Sequence, residues 1–158
     1  MGEALTVKIY AWATACAVLV LPTAAMADDT KAIAEQAHHA YVTAINSNDT
    51  DTLMAAMTSD IVYQSPGEPE LVGSLAVRKW VANYFGAIKS VWDKQTLSFT
   101  VSGDWAIERY GWTVTETDRK TGVTTHDTGK GINIYHHDKD GRWRVAIDGW
   151  SADASSAK

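Results

Sequence analysis

Residues 129–150 read GKGINIYHHDKDGRWRVAIDGW, and this stretch decides how the second half of the chain folds. Two alternating runs flank Asp138-Lys139-Asp140-Gly141, whose composition is typical of a turn. The stretch therefore predicts a β-hairpin. If His137 and Arg142 flank a four-residue loop, the register follows from the loop. The predicted cross-strand pairs are Tyr135 with Arg144, Asn133 with Ala146, and Gly131 with Asp148.

In this register both faces of the hairpin carry large side chains. One face holds Gly131, Asn133, Tyr135, Arg144, Asp148 and Trp150. The other holds Ile132, Ile134, Trp143, Val145 and Ile147. A sheet covered by helices on one side ordinarily has a polar outer face. The second face therefore indicates either a closed sheet with an ordinary two-sided core or an isologous contact in a homodimer. We favour the homodimer, because monomers rarely expose such patches.

Outward from the hairpin, the pattern changes from strands to helices towards the N-terminus. Helical spacing predicts a first helix over 30–47, a short second helix capped by Asp49 or Thr50, and a third capped by Ser74 and running to Ile88. Alternation predicts strands over 61–64, 97–101, 105–117, 123–136 and 142–150. Helices followed by long antiparallel strands predict an α+β domain with the helices packed on one face of a curved sheet.

The two ends of the chain do not belong to this predicted domain. Lys8 precedes the apolar run 9–21, and Ala25-Met26-Ala27 has the small-x-small form of a signal-peptidase site. Residues 1–27 are therefore predicted to be a signal peptide that is removed, so the protein is expected to be exported to the periplasm or secreted. Residues 28–151 are predicted to form one domain, and 152–158 a frayed tail.

Composition excludes several classes of function. The net charge is −5 and the basic residues are scattered, so neither nucleic acid nor a membrane is an expected partner. The single cysteine, Cys16, lies inside the predicted signal peptide, which removes thiol chemistry. Neither His38-His39 nor His136-His137 can clamp one ion, because adjacent side chains diverge, and no metal site is predicted. No dinucleotide or phosphate-binding motif is present, and no cofactor is expected.

Four stretches resemble one fold family. They are NSNDTDTLMAAMTSDIVYQSPG (46–67), LVGSLAVRKWVANYF (71–85), SGDWAIERYGW (102–112) and the hairpin 129–150. Together they resemble the nuclear transport factor 2-like superfamily, and within it the SnoaL-like domains, many of which have no known function. The resemblance implies a cone-like curved antiparallel sheet with three N-terminal helices packed on its concave face.

The same superfamily contains ketosteroid isomerase, and AYVTAINSND (40–49) is similar to the segment carrying that enzyme's oxyanion-hole tyrosine, here Tyr41. In that enzyme a carboxylate moves the proton, while the tyrosine and a second, neutral acid stabilise the enolate. Here Ser65 stands in the place of the base and Asn133 in that of the second acid. An asparagine amide can still donate a hydrogen bond. A serine without a partner is no base, so the isomerase route is not expected.

The sequence therefore predicts a pocket between the helices and the concave sheet, lined by Tyr41, Tyr63, Ser65, Trp80, Asn133, Asp148 and Trp150. Tyr41 and Asp148 are the candidate catalytic residues, with His126 as a second candidate base. Two structural alternatives stay open: Tyr41 as a plug between helix and sheet, and Asp148 as a partner of Arg109 or Arg144.

Two functions follow from this reading. The first is an exported domain that binds a small apolar or amphipathic ligand carrying a carbonyl or hydroxyl group, either as a binder or as a cofactor-free isomerase, cyclase or lyase. The second is a non-catalytic association module that acts through its sheet face. An open cavity in which Tyr41, Asn133 and Asp148 converge favours the first, and a pocket filled by its own side chains favours the second.

Overall fold

The computed structural model describes residues 23–153, and these residues form three helices and one six-stranded sheet. The helices are α1 (Thr23–Asn46), α2 (Thr50–Ala55) and α3 (Ser74–Ala87). The strands are β1 (Met57–Gln64), β2 (Leu71–Val72), β3 (Ile88–Ser102), β4 (Trp105–Asp118), β5 (Thr124–His137) and β6 (Trp143–Ala152). The predicted α+β class is confirmed. Most of the predicted signal peptide, residues 1–22, and 154–158 of the predicted tail lie outside the described residues, whereas Ala152 ends β6 and pairs with Gly129.

The strands follow the order β2-β1-β6-β5-β4-β3, and all neighbours are antiparallel except β1 and β6, which run parallel. Helix α1 packs against β3 and β6, and α3 packs against β1, so the helices cover one face of an open, curved sheet. The core lies between them; its fully buried members include Tyr41, Ile61, Val77, Val81, Tyr135 and Val145. Between residues 23 and 153 no helix combines the length and apolar composition needed to cross a membrane.

Local chemistry explains where helices α2 and α3 begin. Asp49 caps α2, as predicted, by accepting a hydrogen bond from the Thr52 backbone N–H at 2.8 Å. The predicted cap of α3 is wrong, because Ser74 is already helical and the capping position is Gly73. Gly73 has a φ of 87°, which glycine adopts without strain, and its N–H binds the Ile61 carbonyl at 2.8 Å.

Strand β3 begins at Ile88, well before the predicted start at Leu97. The first half of β3 lacks the usual alternation of apolar and polar residues, because two of its inward-facing residues, Ser90 and Lys94, are polar. The asparagines that end α1 bind its backbone: Asn46 pairs with Trp92 through bonds of 2.8 and 2.9 Å, and Asn48 binds Ser90 in the same way. At Ser90 and Trp92 the free edge of β3 is thereby covered by side chains instead of another strand.

The predicted register of the final hairpin is wrong. His137 pairs with Trp143 across a longer loop, Asn133 pairs with Asp148, and the register shifts between Ile134 and Tyr135, which leaves Ala146 as an extra residue on β6. A bulge of this kind moves the side chains that follow it to the other face.

The bulge corrects the predicted faces. Trp143 and Val145 point into the core beside Tyr135 and are buried, so they are not part of an outer patch. Arg144 points outward and binds Asp138 and Asp140 at 2.6 and 2.7 Å. Ile132 stays on the outer face, where it is half exposed.

Candidate functional site

Four polar side chains from four neighbouring strands form a row across the concave face. Glu108 on β4 pairs with Asn133 on β5, which pairs with Asp148 on β6. Asp148 pairs in turn with Tyr63 on β1. All four are buried, and Glu108 and Asn133 are 0% exposed. Because directly opposed residues share a face, the register alone places a carboxylate, an amide, a second carboxylate and a phenol side by side beneath the helices.

Asp148 is held by phenols. The Tyr41 hydroxyl on α1 donates to Oδ2, and the Tyr110 hydroxyl on β4 donates to Oδ1 at 2.9 Å. The Tyr63 hydroxyl lies 3.3 Å from that of Tyr41 and donates to it, since the Tyr41 proton is already directed at Asp148. Burial, and next the charge of Asp148, raises the pKa of Tyr41 and of Tyr110 far above the usual value. Both phenols therefore stay protonated donors.

Tyr110 reaches Asp148 only because the strand between them carries a glycine. Tyr110 lies opposite Gly131, and a Cβ on Gly131 would lie within 3.0 Å of the phenol ring. Gly129 leaves the same room for Trp112. The GKG motif at 129–131 is thus the floor over which two aromatic rings cross β5.

Lys94 on β3 is the buried cation of the site. Its Nζ donates to Asn133 Oδ1 at 2.8 Å and lies 3.5 Å from the ring centroid of Tyr110 and 4.5 Å from that of Tyr41. Burial lowers the pKa of Lys94 to about 8, although Asp148 and Glu108 oppose the shift. The cation is therefore poised to lose its proton not far above neutral pH.

Glu108, at the other end of the row, is satisfied by its own neighbours. His38 Nδ1 donates to Oε1 at 2.8 Å, the Thr96 hydroxyl donates to the same oxygen, and the Tyr135 hydroxyl donates to Oε2 at 2.6 Å. Burial alone would raise the pKa of Glu108, but these hydrogen bonds, led by that from His38, outweigh it and leave the pKa lowered. Glu108 is thus an ionised structural anchor between α1 and the sheet.

A cavity opens beside Asp148. Apart from Asp148, Lys94 and the tyrosine hydroxyls, its walls are aromatic and aliphatic. They comprise Ile45, Leu53, Tyr63, Trp80, Val81, Tyr84, Phe85, Trp92, Lys94, Tyr110, Asp148 and Trp150. The empty space between them, with its mouth, is about 420 Å³, but the centre of a water molecule reaches only about 30 Å³ of it. The cavity in this conformation therefore holds a few waters at most, and a larger ligand requires its aromatic walls to move.

One wall of the cavity is tied to a loop. Trp80 on α3 stacks on Tyr84 with ring centroids 5.3 Å apart, and its edge meets Trp150 at 6.3 Å. Its indole N–H donates to Glu68 Oε2 at 2.7 Å, and Ser65 donates to the same oxygen at 3.2 Å. The loop after β1 thus holds the Trp80 ring in place.

The structure divides the predicted site residues into three groups. Tyr63, Trp80, Asp148 and Trp150 line the cavity as predicted. Tyr41 and Asn133 do not line it, because Asp148 lies in front of the Tyr41 hydroxyl and Lys94 binds the Asn133 amide oxygen. Ser65 is not at the cavity either, since it lies in the loop beyond β1 and turns towards Glu68.

Two alternatives for the carboxylate chemistry are also corrected. Asp148 is no partner of Arg109 or Arg144; its partners are phenols, Arg109 is exposed and Arg144 is paired outside the sheet. His126 is not at the site, because it lies on the exposed end of β5 beside Thr115, 3.0 Å from its hydroxyl.

Sequence reasoning missed Lys94, Tyr110 and Glu108. Alternation through β4 gives Ala106, Glu108, Tyr110 and Trp112 one face, so a charged residue within an apolar face was the available signal. For Lys94 the signal was weaker, because it required the start of β3 to be known. Across residues 23–153 no group of three or more histidine, aspartate or glutamate side chains is placed to hold a metal ion.

Comparison with known proteins agrees with this fold. The model of the SnoaL-like domain family matches residues 38–146. None of the curated proteins compared matches the sequence significantly. A crystal structure of a ketosteroid isomerase-like protein from Erwinia carotovora is 28% identical, with a TM-score of 0.70, covering 78% of this chain and 95% of that one.

Two more distant structures share the fold alone. A putative dehydratase of the NTF2-like family from Streptomyces avermitilis is 16% identical, with a TM-score of 0.72, covering 81% of this chain and 99% of that one. A putative calcium/calmodulin-dependent protein kinase II association domain from Xanthomonas campestris is 14% identical, with a TM-score of 0.63, covering 93% and 99%.

Proposed function

Because the chain belongs to the SnoaL-like domain family, we propose that it takes a small apolar molecule bearing a carbonyl or hydroxyl group into the concave cavity and moves a proton on it without a cofactor. The observation that carries this proposal is the position of Asp148, a carboxylate on the wall of an otherwise apolar cavity. The name of the 28% identical structure, ketosteroid isomerase-like, points in the same direction.

Asp148 has the capacity to act as the base. A carboxylate offers about four lone-pair sites, and Tyr41 and Tyr110 occupy two of them, so the others are free for a ligand. The two phenols orient the carboxylate before a ligand arrives, which lowers the cost of reorganisation during proton transfer. This base differs from that of ketosteroid isomerase, whose position is held here by Ser65.

The chemistry also needs a hydrogen-bond donor for the carbonyl oxygen, and the cavity supplies one. When Asp148 removes a proton beside a carbonyl, negative charge develops on the carbonyl oxygen. The Lys94 ammonium lines the same cavity and is the donor available to that oxygen, since the Tyr63 proton is already donated to Tyr41. Return of the proton to another carbon gives isomerisation, and its transfer to a departing hydroxyl releases water and gives dehydration.

The test is isotope exchange on small ketones such as cyclohexanone in deuterated buffer, followed by NMR. The protein is expected to speed the exchange of hydrogens next to the carbonyl, and Asp148→Asn is expected to reduce that acceleration by about 100-fold or more. If the protein leaves the rate in buffer unchanged, or if Asp148→Asn exchanges as fast as the native protein, proton transfer by Asp148 is wrong.

The second candidate function is association through the outer face of the sheet, and two observations favour it. The cavity is largely filled by its own side chains, and Tyr41 and Asn133 do not line it. Leu97, Ile107 and Ile132 are 60%, 47% and 47% exposed there. We propose a homodimer through this face, as either the assembly of the enzyme or the function itself. Light scattering is expected to give a dimer mass, and Ile132→Lys a monomer mass. A monomer mass for the native protein would contradict it.

We also propose that the protein is exported, from the pattern of residues 1–27 alone. Mass spectrometry of protein recovered from its native host is expected to find Asp28 as the first residue. A mature chain that still carries residues 1–27 would contradict this proposal.

A further inference from the structure

Lys94 is a buried amine on the cavity wall that proton transfer by Asp148 uses only as a donor. Lys94 is among the residues that line the cavity, and it also borders a surface groove with His38, Asn46 and Asp93. The residue is only 6% exposed, so its amine is enclosed by the core of the protein.

The contacts of Lys94 differ from those of a lysine that serves the fold. Throughout residues 23–153, no carboxylate oxygen lies within the 4.0 Å that defines an ion pair with its Nζ. Its one hydrogen bond goes to a neutral amide, Asn133 Oδ1, and the rings of Tyr110 and Tyr41 lie against the ammonium. Loss of the proton thus breaks no salt bridge, and the free amine can still donate to Asn133 Oδ1.

We propose that Lys94 forms a Schiff base with an aldehyde or ketone in this cavity. The nitrogen lone pair attacks the carbonyl carbon, and a proton moves from nitrogen to the carbonyl oxygen. The resulting carbinolamine loses its hydroxyl together with the remaining nitrogen proton as water, which leaves a C=N bond. Asp148 lines the same cavity and is the group available to carry the proton. No electrons are exchanged with another reagent. The inference rests on the proposed function only in that the ligand carries a carbonyl.

The surroundings of Lys94 favour the neutral amine that this reaction requires. The groups that face it are Asp148 on β6, Glu108 and Tyr110 on β4, Asn133 on β5, and His38 and Tyr41 on α1. Burial outweighs the two carboxylates and places the pKa of Lys94 at about 8. At pH 8 roughly half of Lys94 is neutral, against less than about 1% of an ordinary lysine, whose pKa is about 10.4.

The test is reductive trapping with propionaldehyde, which is small enough for a narrow cavity. The protein is treated at about pH 8 with propionaldehyde and cyanoborohydride, and the modified lysines are found by peptide mapping. Lys94 is expected to react at least about tenfold faster than the exposed Lys79 and Lys89 in the same sample, because more of it is neutral. Unfolding the protein before treatment is expected to abolish the preference.

Lys79 and Lys89 provide an internal control that does not depend on a variant that folds. Labelling of Lys94 no faster than these two lysines would overturn the inference. Lys94→Arg provides the second check, since arginine keeps the charge and forms no Schiff base under these conditions. Trapping and ketone exchange are measured separately on the native protein: exchange without preferential trapping at Lys94 overturns the Schiff base alone, and preferential trapping without exchange overturns the proton transfer alone.

Discussion

Asp148 and Glu108 are two carboxylates on the same face of the same sheet, separated by Asn133, and they differ in what surrounds them. Both are almost fully buried and both accept hydrogen bonds from phenols. Glu108 also accepts hydrogen bonds from His38 and Thr96. Asp148 borders the cavity, and Glu108 does not. Burial therefore does not distinguish the two acids, whereas contact with the cavity does.

The largest effect on stability is expected from Gly131→Ala, which disturbs the surroundings of Asp148 and not those of Glu108. The new Cβ would lie within 3.0 Å of the Tyr110 ring and of the Gly149 carbonyl, so Tyr110 must leave its position. Denaturant unfolding is expected to show a loss of about 3 kcal/mol. Gly111→Ala is the control, because its Cβ would meet only the Gly129 carbonyl at 3.9 Å, and a loss below about 1 kcal/mol is expected. Equal losses would contradict the role of Gly131.

A matched pair of tyrosines separates stability from activity. Tyr41→Phe removes a donor from Asp148, and Tyr135→Phe removes one from Glu108. Each is expected to lower the free energy of unfolding by about 1–3 kcal/mol, because a buried carboxylate loses a hydrogen bond. Only Tyr41→Phe is expected to slow ketone exchange beyond twofold, measured at equal folded fraction. Equal slowing by the two variants would remove the distinction between the carboxylates.

Lys94, which lies between the two carboxylates, predicts how stability depends on pH. Its pKa is about 8 in the folded protein and 10.5 as an ordinary lysine, so between these values the unfolded chain binds more protons. Stability is therefore expected to rise with pH in that window, by up to about 1.4 kcal/mol per unit. Unfolding curves from about pH 7.5 to about pH 9.5 measure it, before unfolded tyrosines titrate. Lys94→Met is expected to flatten the rise, and an unchanged slope would contradict the lowered pKa.

The smallest effect is expected at the Trp80 wall of the cavity, which lies beside Asp148 and has no counterpart beside Glu108. Glu68→Gln replaces the charged acceptor of the Trp80 indole N–H and is expected to speed hydrogen exchange of that N–H roughly three- to fivefold by NMR. Glu70→Gln is the control, because Glu70 lies in the same loop but accepts a hydrogen bond from Gln64 at the end of β1 and not from Trp80. No change in Glu68→Gln would show that the hydrogen bond from Trp80 to Glu68 does not limit movement of this wall of the cavity.

The fold was predictable because its signals are local. Alternation and helical spacing gave the α+β class, and the Asp49 cap followed from one side chain in one turn. The register of the last hairpin was not predictable, since it depends on a bulge at Ala146 that turns Trp143 and Val145 inward. The start of β3 was hidden for a related reason: its inward positions are Ser90 and Lys94, which read as solvent-exposed residues.

The site was predictable only in part. Asp148 and Tyr41 were found from a polar residue in an apolar strand and from the resemblance at 40–49. Their contact could not be read from the sequence, because it depends on α1 lying across β6. Tyr110 was missed because it reaches Asp148 only with Gly131 opposite it. A glycine within a strand does not by itself indicate which aromatic ring will pack across it. Recognising Lys94 as a site residue requires both facts, because its amine lies against the rings of Tyr41 and Tyr110.

The central claim is that Asp148 is the reactive carboxylate of the pair and Glu108 the structural one. The most direct measurement is the exchange of ketone hydrogens by Asp148→Asn and Glu108→Gln side by side, with folding of both verified by circular dichroism. Asp148→Asn is expected to lose about 100-fold or more of the acceleration, while Glu108→Gln is less stable but exchanges within about threefold of the native protein. Equal loss in the two variants, or loss in Glu108→Gln alone, would contradict the claim.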